Sequence, residues 1–315
     1  MEAPRQQRRL GEGGGVLIAI VSSALGGTAA AVTRYLVVTA DPITLAVLRW
    51  GIGFAVVLPV ALLLRVTWPR RSDWPGVAAL GFAFFGLFFV LYNLAVSYTT
   101  AARASLALST LPLQTMIVAS LLGIETLTAR KTAGVGIAVL GVVAALASGL
   151  SAAPPGAWRG EAIMAGAVLC MAFYNVWSRP FMRRSSALGF LAVGMGTGAA
   201  ALIAVGAATG RLEVLRDFGA AQWIAGIYLG VGGGALAFIL WVLALQRASP
   251  TRVANTMTVN PLAAALLAAG LVGEPITPSL VAGLAAVFAG IWIATTERLP
   301  SIRSAPRRCR FPGKE

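Results

Sequence analysis

The chain has 315 residues, of which 58% are hydrophobic and only 11% are charged, and its mean hydropathy is +0.81. Soluble domains carry roughly 25% charged residues, so this composition excludes an ordinary soluble protein and indicates one that crosses a membrane several times. The net charge of +14 would indicate nucleic-acid binding in a soluble domain. Here the basic residues fall in short loops and tails, where the positive-inside rule accounts for them, and we expect no nucleic-acid partner.

Apolar stretches of about 18–25 residues recur ten times, each long enough to cross a hydrocarbon core roughly 30 Å thick. All ten are predicted to be helices, because lipid offers no partner for unpaired backbone groups. The first stretch follows three arginines, as in a signal peptide, but it is too long for one, and we expect a retained span. The predicted spans cover about 14–36, 43–64, 75–97, 100–122, 132–150, 160–180, 187–208, 221–245, 252–272 and 279–296.

The third to fifth spans match the eighth to tenth without a gap. Residues from Trp74 to about Leu150 align with those from Trp223 to about Leu299 at an offset of 149. Identities among Ala, Leu and Gly often arise by chance in so apolar a chain. Arg, Pro and Glu residues that recur at one offset rarely do, so the chain is predicted to be an internal duplication. The matching pairs include Phe89 with Phe238, Arg103 with Arg252, Pro112 with Pro261 and Glu125 with Glu274.

The positive charges predict how the chain is threaded. Arg103, Arg159, Arg211 and Arg216 fall on the outer side, Arg34 and Arg49 lie on the spans, and the other nineteen Lys and Arg residues share a side with the N-terminus. Both termini are therefore expected in the cytoplasm, across the cytoplasmic membrane. Each half holds five spans, an odd number, so the second half is inverted, an arrangement that often places a substrate site between the halves.

These patterns give a complete expected organisation. The fold is an all-α polytopic membrane protein with ten transmembrane helices in two inverted five-helix repeats. The expected segments are a cytoplasmic tail at 1–13, the first repeat at 14–150, a Pro-Pro-Gly linker at 151–159, the second repeat at 160–296 and a basic cytoplasmic tail at 297–315.

Prolines and polar residues near mid-membrane are the candidates for a site. Pro112 and Pro261 each remove a backbone donor and are predicted to kink spans four and nine, which would either line a cavity or only shape packing. Amides and hydroxyls both donate and accept, so they suit a zwitterionic or polyhydroxylated solute, although bonding between helices is the alternative. The candidates for substrate contact are Asn260, Asn255, Thr256, Tyr92, Asn93, Gln114, Tyr174 and Asn175.

Arg49, in the second span, is the most deeply placed charge. An unpaired arginine in the bilayer costs at least about 2.5–3.5 kcal/mol, so its side chain is expected to face the bundle and hold a carbonyl, an aromatic ring or an anionic group of a substrate. The alternative is that it extends to the membrane surface.

Several residue types are absent where other functions need them. None of the eleven acidic residues is predicted at mid-membrane, which disfavours exchange of drug cations. We find no nucleophile with a base, no metal cluster and no phosphate-binding loop, so we expect no enzyme activity, no metal and no cofactor. Cys170 and Cys309 are far apart without a CxxC pattern, and no disulfide is expected.

The ten spans, Leu48-Arg49-Trp50 after Asp41-Pro42, and the repeated Arg-(x8)-Pro-(x12)-Glu pattern resemble the drug/metabolite transporter superfamily in its EamA-like branch. The resemblance covers nearly the whole chain. It implies a permease whose central cavity is surrounded by spans three, four, eight and nine, with parts of one, two, six and seven. It departs in the first span, where Ala24-Leu25-Gly26-Gly27 replaces the Trp-Gly frequent in relatives.

We therefore expect a secondary transporter that moves a small organic metabolite, such as an amino acid, by alternating access. Its expected direction is export, which the resemblance implies. The expected partners are the solute and membrane lipids, and the sequence leaves a homodimer open. The alternative is a non-transport membrane subunit or a receptor-like scaffold.

Overall fold

The computed structural model describes residues 3–122, 129, 132–134, 136–137, 140–141, 154–247, 253 and 256–295. Within them the regular secondary structure is helical. The α-helices, numbered α1 to α13, are Ala3–Leu36, Pro42–Leu63, Trp74–Gly81, Phe89–Tyr98, Ala101–Leu108, Leu111–Leu121, Ala157–Trp177, Arg179–Arg184, Ala187–Ala208, Ala220–Gly230, Ala237–Arg247, Val259–Val272 and Pro278–Thr295.

Several of these helices join into longer apolar stretches. In the described part of the chain, seven stretches are long and apolar enough to cross a membrane: Gly13–Leu36, Pro42–Leu63, Arg71–Tyr98, Ala101–Leu121, Ala157–Met182, Ala187–Ala208 and Ala220–Ala244. They correspond to predicted spans one to four and six to eight. The ninth and tenth are represented by the shorter apolar helices Val259–Val272 and Pro278–Gly290. Most of the fifth lies outside the described residues, so the count of ten stays a prediction.

The connection between α1 and α2 is organised by Asp41. Its side chain accepts hydrogen bonds from the N–H groups of Ile43 and Thr44, and Pro42 takes the first helical position, where a missing N–H costs no hydrogen bond. Arg211 also contacts the carboxylate at 3.1 Å. Burial alone would raise the pKa of Asp41, but the hydrogen bonds from Thr44, Ile43 and Arg211 outweigh it, and the pKa is lowered.

We expect Asp41→Ala to lower the free energy of unfolding by about 1 kcal/mol, because α2 loses its N-cap. Since the folded-state pKa of Asp41 is lowered, the charge-dependent part of this stabilisation is present above the unfolded pKa and is lost as pH falls through the folded pKa. Thermal unfolding in detergent at a series of pH values measures this. The difference in stability between the unmodified protein and Asp41→Ala should shrink from neutral to acid pH.

Asp41→Asn is the control for this prediction, since it retains a capping oxygen and loses only the charge. We expect it to stay within about 0.5 kcal/mol of the unmodified protein, because the pair with the exposed Arg211 is worth little. Equal losses for the Asn and Ala variants would contradict the capping role.

Two of the long stretches contain a π-helical segment. Phe82–Phe88 lies between α3 and α4, and Val231–Leu236 lies between α10 and α11. They begin 149 residues apart, which is the offset at which the sequence repeats. The first packs against α9 and the second against α2. Such turns redirect backbone carbonyls away from the α-helical pattern and are frequent at functional sites.

The two prolines predicted to kink a helix lie just after an interruption. α5 and α6 are separated by a turn at Ser109 and Thr110, and Pro112 is the second residue of α6. Pro261 is the third residue of α12, which follows the 3-10 turn Thr256–Thr258. In the first turn of a helix, the missing N–H of proline leaves no intrahelical bond unmade. Each proline therefore lies in the first turn of a helix, directly after an interruption, and the predicted kinks of spans four and nine stay predictions.

Helices from the part of the chain before residue 122 interleave with helices from the part after residue 154. α1 packs mainly on α11 and α12, α2 packs on α9 and α10, and α7 packs on α4 and α6. α1 and α12 approach so closely that a Cβ at Gly27 would lie 2.1 Å from the backbone oxygen of Asn260. Small residues permit such approaches between apolar helices. A site at the centre therefore draws side chains from both parts.

Candidate functional site

A central cavity lies between the interleaved helices. Its empty volume is about 580 Å³, including space open to solvent. The polar side chains on its wall are few: Ser22, Ser23, Arg49, Tyr92 and Asn260. Most of the remaining wall is aromatic or aliphatic and includes Phe88, Phe89, Phe238, Trp241, Met171 and Met257. The residues described here contain no cluster of three His, Cys, Asp or Glu residues that would hold a metal ion.

Arg49 is the charged group on the cavity wall and is only 3% exposed. Its Nη2 donates to the backbone oxygen of Gly233 at 2.8 Å. Its Cζ lies 4.7 Å from the ring centroid of Phe89, and Trp50 and Tyr92 are also within 6 Å. Nε and Nη1 make no hydrogen bond with the protein. The side chain thus lies within the bundle, and the alternative of extension to the surface does not hold.

Gly233 holds this arginine because of its place in the second π-helical segment. A Cβ at Gly233 would lie 2.5 Å from the Cβ of Ala29, and one at Gly234 would lie 2.8 Å from the backbone oxygen of Arg49. The two glycines let this segment approach both α1 and α2. That approach brings the Gly233 carbonyl to the guanidinium.

Asn260 contributes an amide from α12 and is only 4% exposed. Its Oδ1 has no hydrogen-bond partner. Its Nδ2 lies beside Gly26, where a Cβ would come within 2.7 Å. A buried amide oxygen without a partner is costly, about 1–3 kcal/mol. Asn260 therefore offers the cavity a polar group that the protein itself does not use.

Thr256 lies next to the cavity but is bonded within the protein. Its hydroxyl contacts Ser23 Oγ at 2.9 Å and donates to the backbone oxygen of Val253 at 2.7 Å. Ser22 donates to the Ala237 oxygen at 2.6 Å. These bonds connect α1 to the second part of the chain, which is the role that the alternative interpretation of the polar residues gives them.

The remaining candidates are placed as follows. Tyr92 lines the cavity, whereas Asn93 donates to the backbone oxygen of Pro42 at 3.0 Å. Gln114 contacts Thr110 within its own stretch at 3.3 Å, and Asn175 contacts Thr115 at 3.4 Å. Tyr174 stacks on Phe84 with ring centroids 4.3 Å apart. These last four do not line the cavity, and Asn255 lies outside the described residues.

Sequence reasoning did not select the aromatic wall or the two serines. Phe89 and Phe238, which align in the duplication, both line the cavity and both contact Trp50 edge-on. Their alignment at the offset of 149 was the sequence feature from which both could have been predicted to line the cavity. Ser22 and Ser23 had no such feature, since isolated serines are common in apolar helices.

Two ion pairs connect helices at the end of the bundle where α1 and α4 end and α5 and α7 begin. Arg34 pairs with Glu274 at 3.1 Å, and Glu274 also accepts from the Ala101 N–H at 2.9 Å. Arg103 pairs with Glu161 at 2.5 Å. Burial raises the pKa of Glu274, against the opposing effect of Ala101 and Arg34. Each pair joins an element before residue 122 to one after residue 154, and both side chains of each are mostly buried.

A transporter family and several proteins described as transporters are similar to this chain. The model of the EamA-like transporter family matches residues 13–147 and again residues 158–296. An uncharacterised transporter of Archaeoglobus fulgidus is 26% identical over 277 residues, covering 86% of this chain and 95% of that protein. A probable terminal-alkyne amino-acid exporter of Streptantibioticus cattleyicolor is 26% identical over 243 residues, covering 77% of this chain and 80% of that protein.

The fold is also found in a crystal structure. That protein is 20% identical and superposes with a TM-score of 0.64 over 90% of this chain and 96% of its own. The apolar helices and these similarities define a multi-pass membrane transport protein. The chain belongs to the EamA-like transporter family, and the resemblance predicted from the sequence is confirmed. Its family and relatives are transporters and not enzymes.

Proposed function

We propose that the chain is a secondary transporter that exports a small organic metabolite across the cytoplasmic membrane by alternating access, without a cofactor. The observation that carries the proposal is the central cavity, where Arg49 and Asn260 present polar atoms that no protein group uses. The name of one relative, an amino-acid exporter, supports an amino acid or related compound as solute and export as the direction.

The proposed architecture is ten spans in two inverted repeats, 14–150 and 160–296, with both termini in the cytoplasm. The π-helical segments support it, since they begin 149 residues apart. The first packs on α9, in the seventh predicted span, and the second packs on α2, in the second. These two contacts are equivalent in a five-plus-five arrangement. Inverted repeats that rock about a shared site are a common basis of alternating access.

Counterflow in proteoliposomes tests the function. We expect the purified chain to accumulate a labelled solute from a pool of amino acids, nucleosides and sugars against an unlabelled internal pool. Asn260→Leu should abolish this accumulation, because it removes the amide with the unpaired oxygen from the cavity wall. Gln222→Leu makes the same chemical change at the start of α10, away from the cavity, and should leave transport unchanged.

The outcome separates the two functional classes. Size-exclusion chromatography in detergent establishes that each variant is folded before flux is compared. Transport by the Asn260→Leu protein at the unmodified rate would remove Asn260 from the site. Absence of flux for every solute class, from folded protein, would favour a non-transport membrane subunit or scaffold.

A further inference from the structure

The cavity also carries a conclusion about the class of solute, which rests on the proposed function. We infer that the transported solute is an organic monoanion whose carboxylate is bound by Arg49 and whose apolar body lies against the aromatic wall. Three features of the cavity support this assignment: its charge, the free donors of the guanidinium and the chemistry of the remaining wall.

The charge on the cavity wall comes from Arg49. Among the described residues that line the cavity, Arg49 is the charged one, and no carboxylate accompanies it. The rings of Trp50, Phe89 and Tyr92 attract the guanidinium but bring no net negative charge. A buried charge is stable only when paired and hydrogen-bonded. A solute with one negative charge supplies the counter-ion that the wall lacks.

The guanidinium of Arg49 has donors that are not used by the protein. A guanidinium has five N–H groups, and the Gly233 oxygen accepts from Nη2. Nε and Nη1 have no protein partner. A carboxylate accepts from two neighbouring N–H groups of arginine at once, and this arrangement gives both energy and orientation. The Gly233 contact fixes the guanidinium in place, so little side-chain freedom is lost when the anion binds.

The rest of the cavity wall is mostly apolar. Phe88, Phe238, Trp241, Met171 and Met257 offer apolar surface and no charge. A polyhydroxylated solute would lose its hydration there without replacement. A cationic group would be repelled by Arg49. The amide of Asn260 leaves room for one polar substituent, while an anion is driven outward by an inside-negative membrane potential, which agrees with the proposed export.

Three ligands with the same phenylethyl body test the inference. 3-Phenylpropionate, phenylalanine and 2-phenylethylamine carry one negative charge, no net charge and one positive charge at neutral pH. We expect calorimetry on the purified chain in detergent to show the tightest binding for 3-phenylpropionate, weaker binding for phenylalanine and none for 2-phenylethylamine. Binding of phenylalanine or 2-phenylethylamine at least as tight as that of 3-phenylpropionate, or of none of the three, would overturn the inference.

Variants of Arg49 test the assignment to this side chain. Arg49→Gln should weaken 3-phenylpropionate binding about 10- to 100-fold, since charge-assisted hydrogen bonds are lost. Arg49→Lys should recover only part of the affinity, because a lysine lacks the planar donor pair. Arg159→Gln, at an exposed arginine, should bind as the unmodified chain does. A folded Arg49→Gln protein with unchanged affinity would contradict the assignment, and if it does not fold, the ligand series on the unmodified chain still decides.

The inference fails separately from the proposed function. Counterflow of a cation or an uncharged solute that is abolished by Asn260→Leu would overturn the monoanion assignment and leave the transporter standing. Absence of counterflow for all solutes, anions included, would remove the proposed function itself.

Discussion

Glu161→Ala is expected to lower the free energy of unfolding by about 1.5–3 kcal/mol, since it removes a charge-assisted hydrogen-bond acceptor from a mostly buried ion pair with Arg103. The side chains of Glu161 and Arg103 are only 12% and 10% exposed, and two guanidinium nitrogens approach the same carboxylate oxygen, at 2.5 and 2.7 Å. Thermal or urea unfolding of purified protein in detergent measures the loss.

A double-mutant cycle separates the pair from other effects. The combined Arg103→Ala and Glu161→Ala protein should be more stable than the sum of the single losses predicts, by more than about 0.5 kcal/mol. Asp73→Ala is the matched control, since it removes a carboxylate from Arg184, which is 42% exposed, and should cost only about 0–1 kcal/mol. Strictly additive losses in the cycle would show that Arg103 and Glu161 do not depend on each other.

Gly27→Ala is expected to destabilise the fold by about 1–3 kcal/mol, because the added methyl group collides with α12. Its Cβ would lie 2.1 Å from the Asn260 oxygen and 2.9 Å from the Cβ of Ala263. The nearest atom belongs to the backbone, so α1 and α12 must separate. The same shift moves Asn260 on the cavity wall, and solute binding should weaken along with stability.

Gly14→Ala makes the same change in the same helix with no atom within 4 Å of the new Cβ. It should be neutral or stabilising by up to about 1 kcal/mol, because alanine favours a helix over glycine. Thermal unfolding of the two variants in parallel is therefore diagnostic. A Gly27→Ala protein as stable as Gly14→Ala would show that α1 and α12 are not in the close contact described here.

Much of the fold follows from local sequence, whereas most of the site does not. Long apolar stretches predict helices one at a time, since each must satisfy its own backbone in lipid. The burial of Arg49 was predictable for the same reason, because a lone charge in such a stretch must find a partner. Its partner was not, since Gly233 is 184 residues away and becomes available through a π-helical turn.

Which side of each helix faces the cavity was also beyond the sequence. Tyr174 and Asn175 were candidates by depth, yet Met171 of the same helix lines the cavity. α7 is apolar nearly all round, so no periodic pattern gives its rotation about its axis. Tyr92 and Asn93 are neighbours in the sequence, yet Tyr92 lines the cavity and Asn93 contacts Pro42. Contacts between distant parts of the chain fix these rotations.

The two π-helical segments also lie at equivalent positions of the sequence repeat. A π-helical turn closes over one residue more than an α-helical turn, so each segment corresponds to a helix that has gained a residue. Both segments lie within the two matches to the family model, and they begin 149 residues apart. Each match to the family model therefore contains one such widened turn, and both turns lie at the same register of the sequence repeat.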